Sequence, residues 1–141
     1  MKILECSSAG DKRFSAFYAK VTFNGVYDTI ENHYQQCKRD ANNNPCRKGQ
    51  RVAYCVIKNK QLPATYLTAY YRLLWLKYLK EHPDLVEYAT QFDEFTDKFR
   101  GKAINCQADC VRAFVKKDRS FFNCVLELKT NLTQAKIETI L

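Results

Sequence analysis

Residues 64–80, ATYLTAYYRLLWLKYLK, are apolar on almost every side of a helix. Tyr66, Leu67, Tyr70, Leu73, Leu74 and Tyr78 lie inward, and Thr65, Thr68, Arg72 and Lys80 leave only a narrow polar stripe. A helix with so little polar surface has to be surrounded by other elements, so the pattern predicts a central helix. Pro63 stands where such a helix can begin. His82-Pro83 stops it, because proline disfavours helical geometry in the residue before it. The run is too short to cross a bilayer and carries Arg72 and Lys77. The chain must therefore build its own shell. Its 141 residues suit one domain, 1–141, able to bury roughly 70% of its unfolded surface. Aromatic residues at 13% are too many for a disordered chain.

The shell is read from local signals. Residues 2–6 suit a short strand. Residues 21–23 and 26–27 flank Asn24-Gly25, a pair that accepts the positive φ values of a tight hairpin turn. A helix is expected over residues 29–39. The following DANNNPCRKGQR is read as an exposed basic loop. RVAYCVI reads as a strand whose partner the sequence does not reveal. Pro83 suits the first turn of a helix over residues 83–92. DEFTDKF reads as a short turn that ends at Arg100-Gly101. Asn105 can cap a helix running to about Val115, and another covers residues 121–130. With three or four strands and five or six helices, the fold class is α+β: a predominantly helical single domain with a small antiparallel sheet.

The net charge of +8 is uneven. Residues 1–70 hold 11 basic and 5 acidic groups, against 12 and 10 in the rest. The front half thus favours anionic partners such as nucleotides or nucleic acid, although solubility alone would explain it. The N-terminus lacks the apolar core of a signal peptide, so a soluble cytoplasmic protein with reduced thiols is expected. The seven cysteines form no CxxC pair. His33 and Cys37, four apart, with Cys46 and Cys55 downstream, offer zinc ligands on paper. Their spacing fits no common structural zinc motif, and no metal or other cofactor is expected.

Two stretches concentrate chemistry: Arg13-Phe14-Ser15-Ala16-Phe17-Tyr18 and Thr29-Ile30-Glu31-Asn32-His33-Tyr34-Gln35-Gln36-Cys37-Lys38. On a helix, Glu31, Gln35 and Lys38 share one face, with Tyr34 beside the stripe. An acid, an amide and an amine projecting together can bind a polar ligand and act on it. Glu31 also has a structural reading. Asp28-Thr-Ile-Glu31 is a variant capping box, with Asp28 as N-cap and Glu31 at its third position.

The pattern F-S-x-F, an intervening G-x-Y, then E-x-x-Y-Q-x-x-K resembles the NADAR superfamily, which includes the YbiA-like N-glycosidases. It is carried by Phe14, Ser15, Phe17, Gly25, Tyr27, Glu31, Tyr34, Gln35 and Lys38. A weaker likeness runs through residues 83–87 and 93–95, Gly101 and residues 105–108, covering about residues 13–115. Ala16 stands where the family has asparagine, and Thr96 where it has tryptophan.

The resemblance implies cleavage of an N-glycosidic bond to a ribosyl carbon. Members act on phosphorylated riboflavin-pathway intermediates or remove ADP-ribose from guanine bases. It further implies that Lys38 carries the sugar as a Schiff base. Glu31 is the candidate acid/base group, and Asp93, with Asp97, is a candidate second carboxylate. Tyr34, Phe14 and Phe17 are candidates to stack on a base. Ser15 belongs to the binding motif. Gln35 and Asn105 are candidates to hold ribose hydroxyls, and Arg13, Arg39, Arg47, Lys48 and Arg51 to meet phosphates. The expected partner is a nucleotide or ADP-ribosyl small molecule, or ADP-ribosylated nucleic acid; no membrane and no protein partner is inferred. Ala16 and Thr96 motivate an alternative, a non-catalytic binder that sequesters an ADP-ribose-derived nucleotide. A basic nucleic-acid adaptor is a third option.

Overall fold

Asn24 and Gly25 both take positive φ, 51° and 81°, and turn β2 (Lys20–Phe23) into β3 (Val26–Thr29). The register pairs Phe23 with Val26 and Lys20 with Thr29. Lys58 and Asn59 make a second turn with positive φ at both positions, joining β5 (Tyr54–Ile57) to β6 (Lys60–Pro63). Without a glycine, that hairpin carried no clear signal in the sequence. Here β5 finds its partners: β6 on one side and the two-residue β4 (Lys38–Arg39) on the other, both antiparallel.

A computed structural model describes residues 1–99 and 106–140. Its strands form three small sheets among the described residues. The third pairs β1 (Ile3–Glu5) with β7 (Glu94–Thr96) in parallel. Residues 93–99, expected to be only a turn, therefore contain a strand. Three residues carry little local periodicity, and its pairing partner lies 91 positions away.

Helix α1 (Ile30–Gln36) enters directly from β3. A 3₁₀ turn, Ala64–Tyr66, leads into α2 (Leu67–Glu81), with α3 (Pro83–Ala89), α4 (Gln107–Val115) and α5 (Arg119–Ile140) following. Helix α2 is central as its composition requires, packing against α1, α3, α4, α5 and β2. Trp75, Leu74 and Leu79 are completely buried. Pro83 occupies the first turn of α3, where its missing N–H has no helical partner to lose. Helix α5 runs well past the expected residue 130. The fold is α+β. Among the described residues, no helix is long and apolar enough to cross a membrane.

Candidate active site

The turn after Phe14 is organised by Ser15. This serine is fully buried; its carbonyl accepts from the Tyr18 and Ala19 N–H groups at 3.0 and 2.8 Å. The same turn is fastened to the start of α1. The Ala19 carbonyl accepts from Ile30 N–H at 2.9 Å, and the Ala16 carbonyl from Glu31 N–H at 3.0 Å. On its other side, Ala16 N–H donates to Gln107 Oε1 at 2.6 Å. Gln107 Nε2 in turn donates to Asp97 Oδ2 at 3.0 Å, and the Cys106 thiol lies 3.8 Å from the same oxygen. One hydrogen-bonded line thus runs from Asp97 through Gln107 and Ala16 to Glu31, joining three distant segments of the chain.

Glu31 is released from the capping role that the sequence offered it. The N-cap is Thr29, one residue later than expected, and its Oγ1 accepts from Asn32 N–H at 3.1 Å. Asp28 accepts instead from the Asn32 side chain at 2.9 Å and from Thr29 N–H at 2.7 Å. Those bonds, the Asn32 one foremost, hold the Asp28 carboxyl below the usual aspartate range. β3 runs straight into the helix, and Thr29 is the residue left with extended backbone at the junction. The Glu31 carboxylate is therefore free to accept from Gln35 Nε2 at 2.8 Å, as their four-residue spacing predicts.

Lys38 departs from the expected stripe. The helix ends at Gln36 rather than near Arg39, with Cys37 as its C-cap. Strand pairing stops it: Val56 N–H donates to the Cys37 carbonyl at 2.8 Å, and Lys38 stands opposite Cys55 in the ladder. Lys38 nevertheless stays in contact with α1. Its Nζ lies 4.3 Å from the centroid of the Tyr34 ring, where the negative face of the π-system attracts an ammonium. Tyr34 packs edge-on against Tyr71 at 5.1 Å. Burial raises the Tyr71 phenol far above its usual range, and the Glu31 charge is among the smaller influences acting with it. Lys38 thus meets Tyr34, a residue of the helix that carries Glu31.

The other candidates divide. Phe17 is 61% exposed at the turn and offers its ring, and Gln35 is exposed beside Glu31. Phe14 is core, stacked 6.3 Å from Tyr88, and offers no ligand-facing ring. Asp93 holds the N-terminal strand, accepting from Lys2 N–H at 2.9 Å, while Asp97 joins the line to Glu31. The Arg13 guanidinium is paired with Asp11 at 3.0 and 2.7 Å and lies over Tyr88. Arg39 donates to the Gln36 and Lys38 carbonyls, closing the end of α1. Arg47, Lys48 and Arg51 stay exposed with no ion pair among the described residues. Asn105 lies outside the described residues.

His33 is buried with Nε2 2.8 Å from the Val21 carbonyl, and the Cys37 thiol donates to the Tyr34 carbonyl. Among the described residues, no cluster of three or more His, Cys, Asp or Glu could hold a metal ion.

A cleft of about 430 Å³ runs along α4, lined among others by Thr68, Arg72, Cys106, Cys110, Arg112 and Lys116. Cys106, whose thiol lies near Asp97, is among its lining residues, as are Asp109 and Asp118. Glu31 and Lys38 do not line it.

The residue that sequence reading passed over as a site element is Gln107. Its signals were a place in the weak likeness at residues 105–108 and a polar side chain at the start of an amphipathic helix. Burial beside two partners gives it meaning.

The family model described as DarT1-associated NADAR antitoxin matches residues 15–136. That span contains the Ser15–Ala19 turn, α1, Lys38, Asp97 and Gln107. The chain belongs to the DarT1-associated NADAR antitoxin family. The match extends the NADAR likeness past residue 115 and into α5. No curated protein matches the chain.

Proposed function

We propose that this NADAR protein is an N-glycosidase that removes an ADP-ribosyl group from a nucleobase, reversing a modification made by an associated toxin. The observation that supports this most is Glu31, which stands clear of helix capping and accepts a hydrogen bond from Gln35, on the helix whose Tyr34 ring carries the Lys38 ammonium. The family description supplies the antitoxin setting.

In the reaction, the Lys38 amine attacks C1 of the ribose. The C–N bond to the base breaks, and its electron pair leaves with the base nitrogen, which takes a proton. Glu31 supplies that proton and takes one from the incoming amine. Ring opening gives an imine, and water then releases the sugar and restores the lysine. The developing positive charge on the sugar favours a nearby anion, which Glu31 provides once it has given up its proton. Tyr34 and Phe17 bound the base, and Gln35 meets ribose hydroxyls. The diphosphate is best served by cations without protein partners. Arg47, Lys48 and Arg51, exposed and without an ion pair among the described residues, suit it better than Arg13 and Arg39, which are already engaged.

The test is incubation with ADP-ribosylated guanosine, NAD and riboflavin precursors, with and without borohydride. Release of a base and a reduced adduct at Lys38 are expected, and both vanish in Lys38→Ala. Tight binding of ADP-ribose with every substrate recovered intact would replace catalysis with sequestration. Neither binding nor cleavage would remove both.

A further inference from the structure

From Tyr18 to Phe23 the chain alternates strictly. Ala19, Val21 and Phe23 are buried, and Tyr18, Lys20 and Thr22 face outward. Tyr27 stands opposite Thr22 across the hairpin and is 68% exposed, with Tyr18 at 51%. Each phenol ring has a lysine beside it: Lys12 Nζ is 4.9 Å from the Tyr18 centroid and Lys20 Nζ 5.9 Å from that of Tyr27. Neither lysine forms an ion pair among the described residues. The nearby Asp28 carboxylate is held by Thr29 and Asn32. Neither phenol hydroxyl has a hydrogen-bond partner among the described residues. Two large rings left in water, each beside a lysine, on a hairpin whose inward side is closed by Val21 and Phe23, call for an occupant.

We infer that this outward face, Tyr18 and Tyr27 with Lys12 and Lys20, is a stacking ledge for a single-stranded nucleic acid that carries the modified base into the site. Rings interleaved with unpaired cations match what such a strand presents: π-faces on its bases and charge on its phosphates. An acidic peptide would use the lysines but leave the rings without a partner. A duplex keeps its bases stacked on one another and so has no faces to offer. The ledge is also coupled to the chemistry. Tyr18 lies in the turn whose Ala16 and Ala19 carbonyls hold the first turn of α1, where Glu31 sits. A strand stacked on the ledge is thus delivered beside Glu31. This inference rests on the N-glycosidase reading for the modified base, but not for binding of the strand.

The probes are a fluorescein-labelled twelve-nucleotide single strand without modification and an abasic strand of equal length, both followed by anisotropy. The base-containing strand is expected to bind at least tenfold tighter than the abasic one. Tyr18→Ala and Tyr27→Ala should each cost roughly tenfold, and the phenylalanine variants should restore binding. Because both rings are exposed, circular dichroism should match the wild type. With an ADP-ribosylated oligonucleotide, kcat/KM should fall in the alanine variants; with ADP-ribosylated guanosine it should not. Equal affinity for both strands, no binding of either, unchanged affinity in the alanine variants, or an oligomeric state that changes with Tyr27→Ala would each overturn the ledge. If the wild type releases no base from either substrate, the glycosidase reading fails, and anisotropy still decides the ledge.

Discussion

At the scale of single residues, the proposed roles separate from stability. Lys38→Arg keeps a cation over Tyr34 but cannot form the imine. Loss of borohydride trapping with an unchanged denaturation midpoint is expected. Gln107→Ala acts in the opposite sense. It strands the buried Ala16 N–H and takes a donor from Asp97, at a cost of about 1–3 kcal/mol in urea unfolding. Because Ala16 also holds Glu31 through its carbonyl, activity per folded molecule should fall as well. A purely structural glutamine would leave that specific activity unchanged.

The elements decide which carboxylate is free. Helix α1 is capped by Thr29, with Asp28 and Asn32 bracing the same turn. Thr29→Ala should therefore destabilise the protein by about 1 kcal/mol, while Glu31→Gln should leave the thermal midpoint nearly in place and lower kcat by roughly a hundredfold or more. Had Glu31 closed a capping box, Glu31→Gln would still have kept that bond, so Glu31→Ala is the sharper control for stability. It too should be close to neutral. The end of α1 carries a different lesson. Helical spacing placed Lys38 on the Glu31 stripe, but the ladder with Cys55 claims it for a strand. The side chain meets α1 again through Tyr34 rather than through helix periodicity.

Across the whole molecule, stability is concentrated on α2. Leu74→Ala, at a fully buried position, should cost about 2–5 kcal/mol in denaturant unfolding. Acid sensitivity comes from carboxyls held below their usual range: Asp11 by the Arg13 hydrogen bond, Asp28 by Asn32 and Asp118 by Ser120. Glu5 behaves likewise; burial pushes it up, and bonds from Ser7, Lys98 and Thr96 together outweigh that. The folded state thus holds these groups charged more readily than the unfolded chain does. Their contribution is complete above the ordinary carboxyl range near pH ~4 and is lost as pH falls through the lower folded values. A thermal midpoint that is level from neutral pH down to about 5 and then drops below about 4 is the expected profile.

What sequence alone determined is what local physics can decide. A helix with almost no polar side had to be central. Asn24-Gly25 had to turn a hairpin, because both residues tolerate positive φ. Glu31 and Gln35 had to meet, because four residues make one helical turn. Tertiary structure alone decided the rest. The β1–β7 pair, the strand that captures Lys38, the burial of Phe14, the placing of Asp93 against Lys2 and the line from Asp97 through Gln107 to Ala16 all join segments far apart in the chain. Such contacts are chosen by which backbone groups and ring faces remain unsatisfied after collapse, and no window of neighbouring residues records that choice.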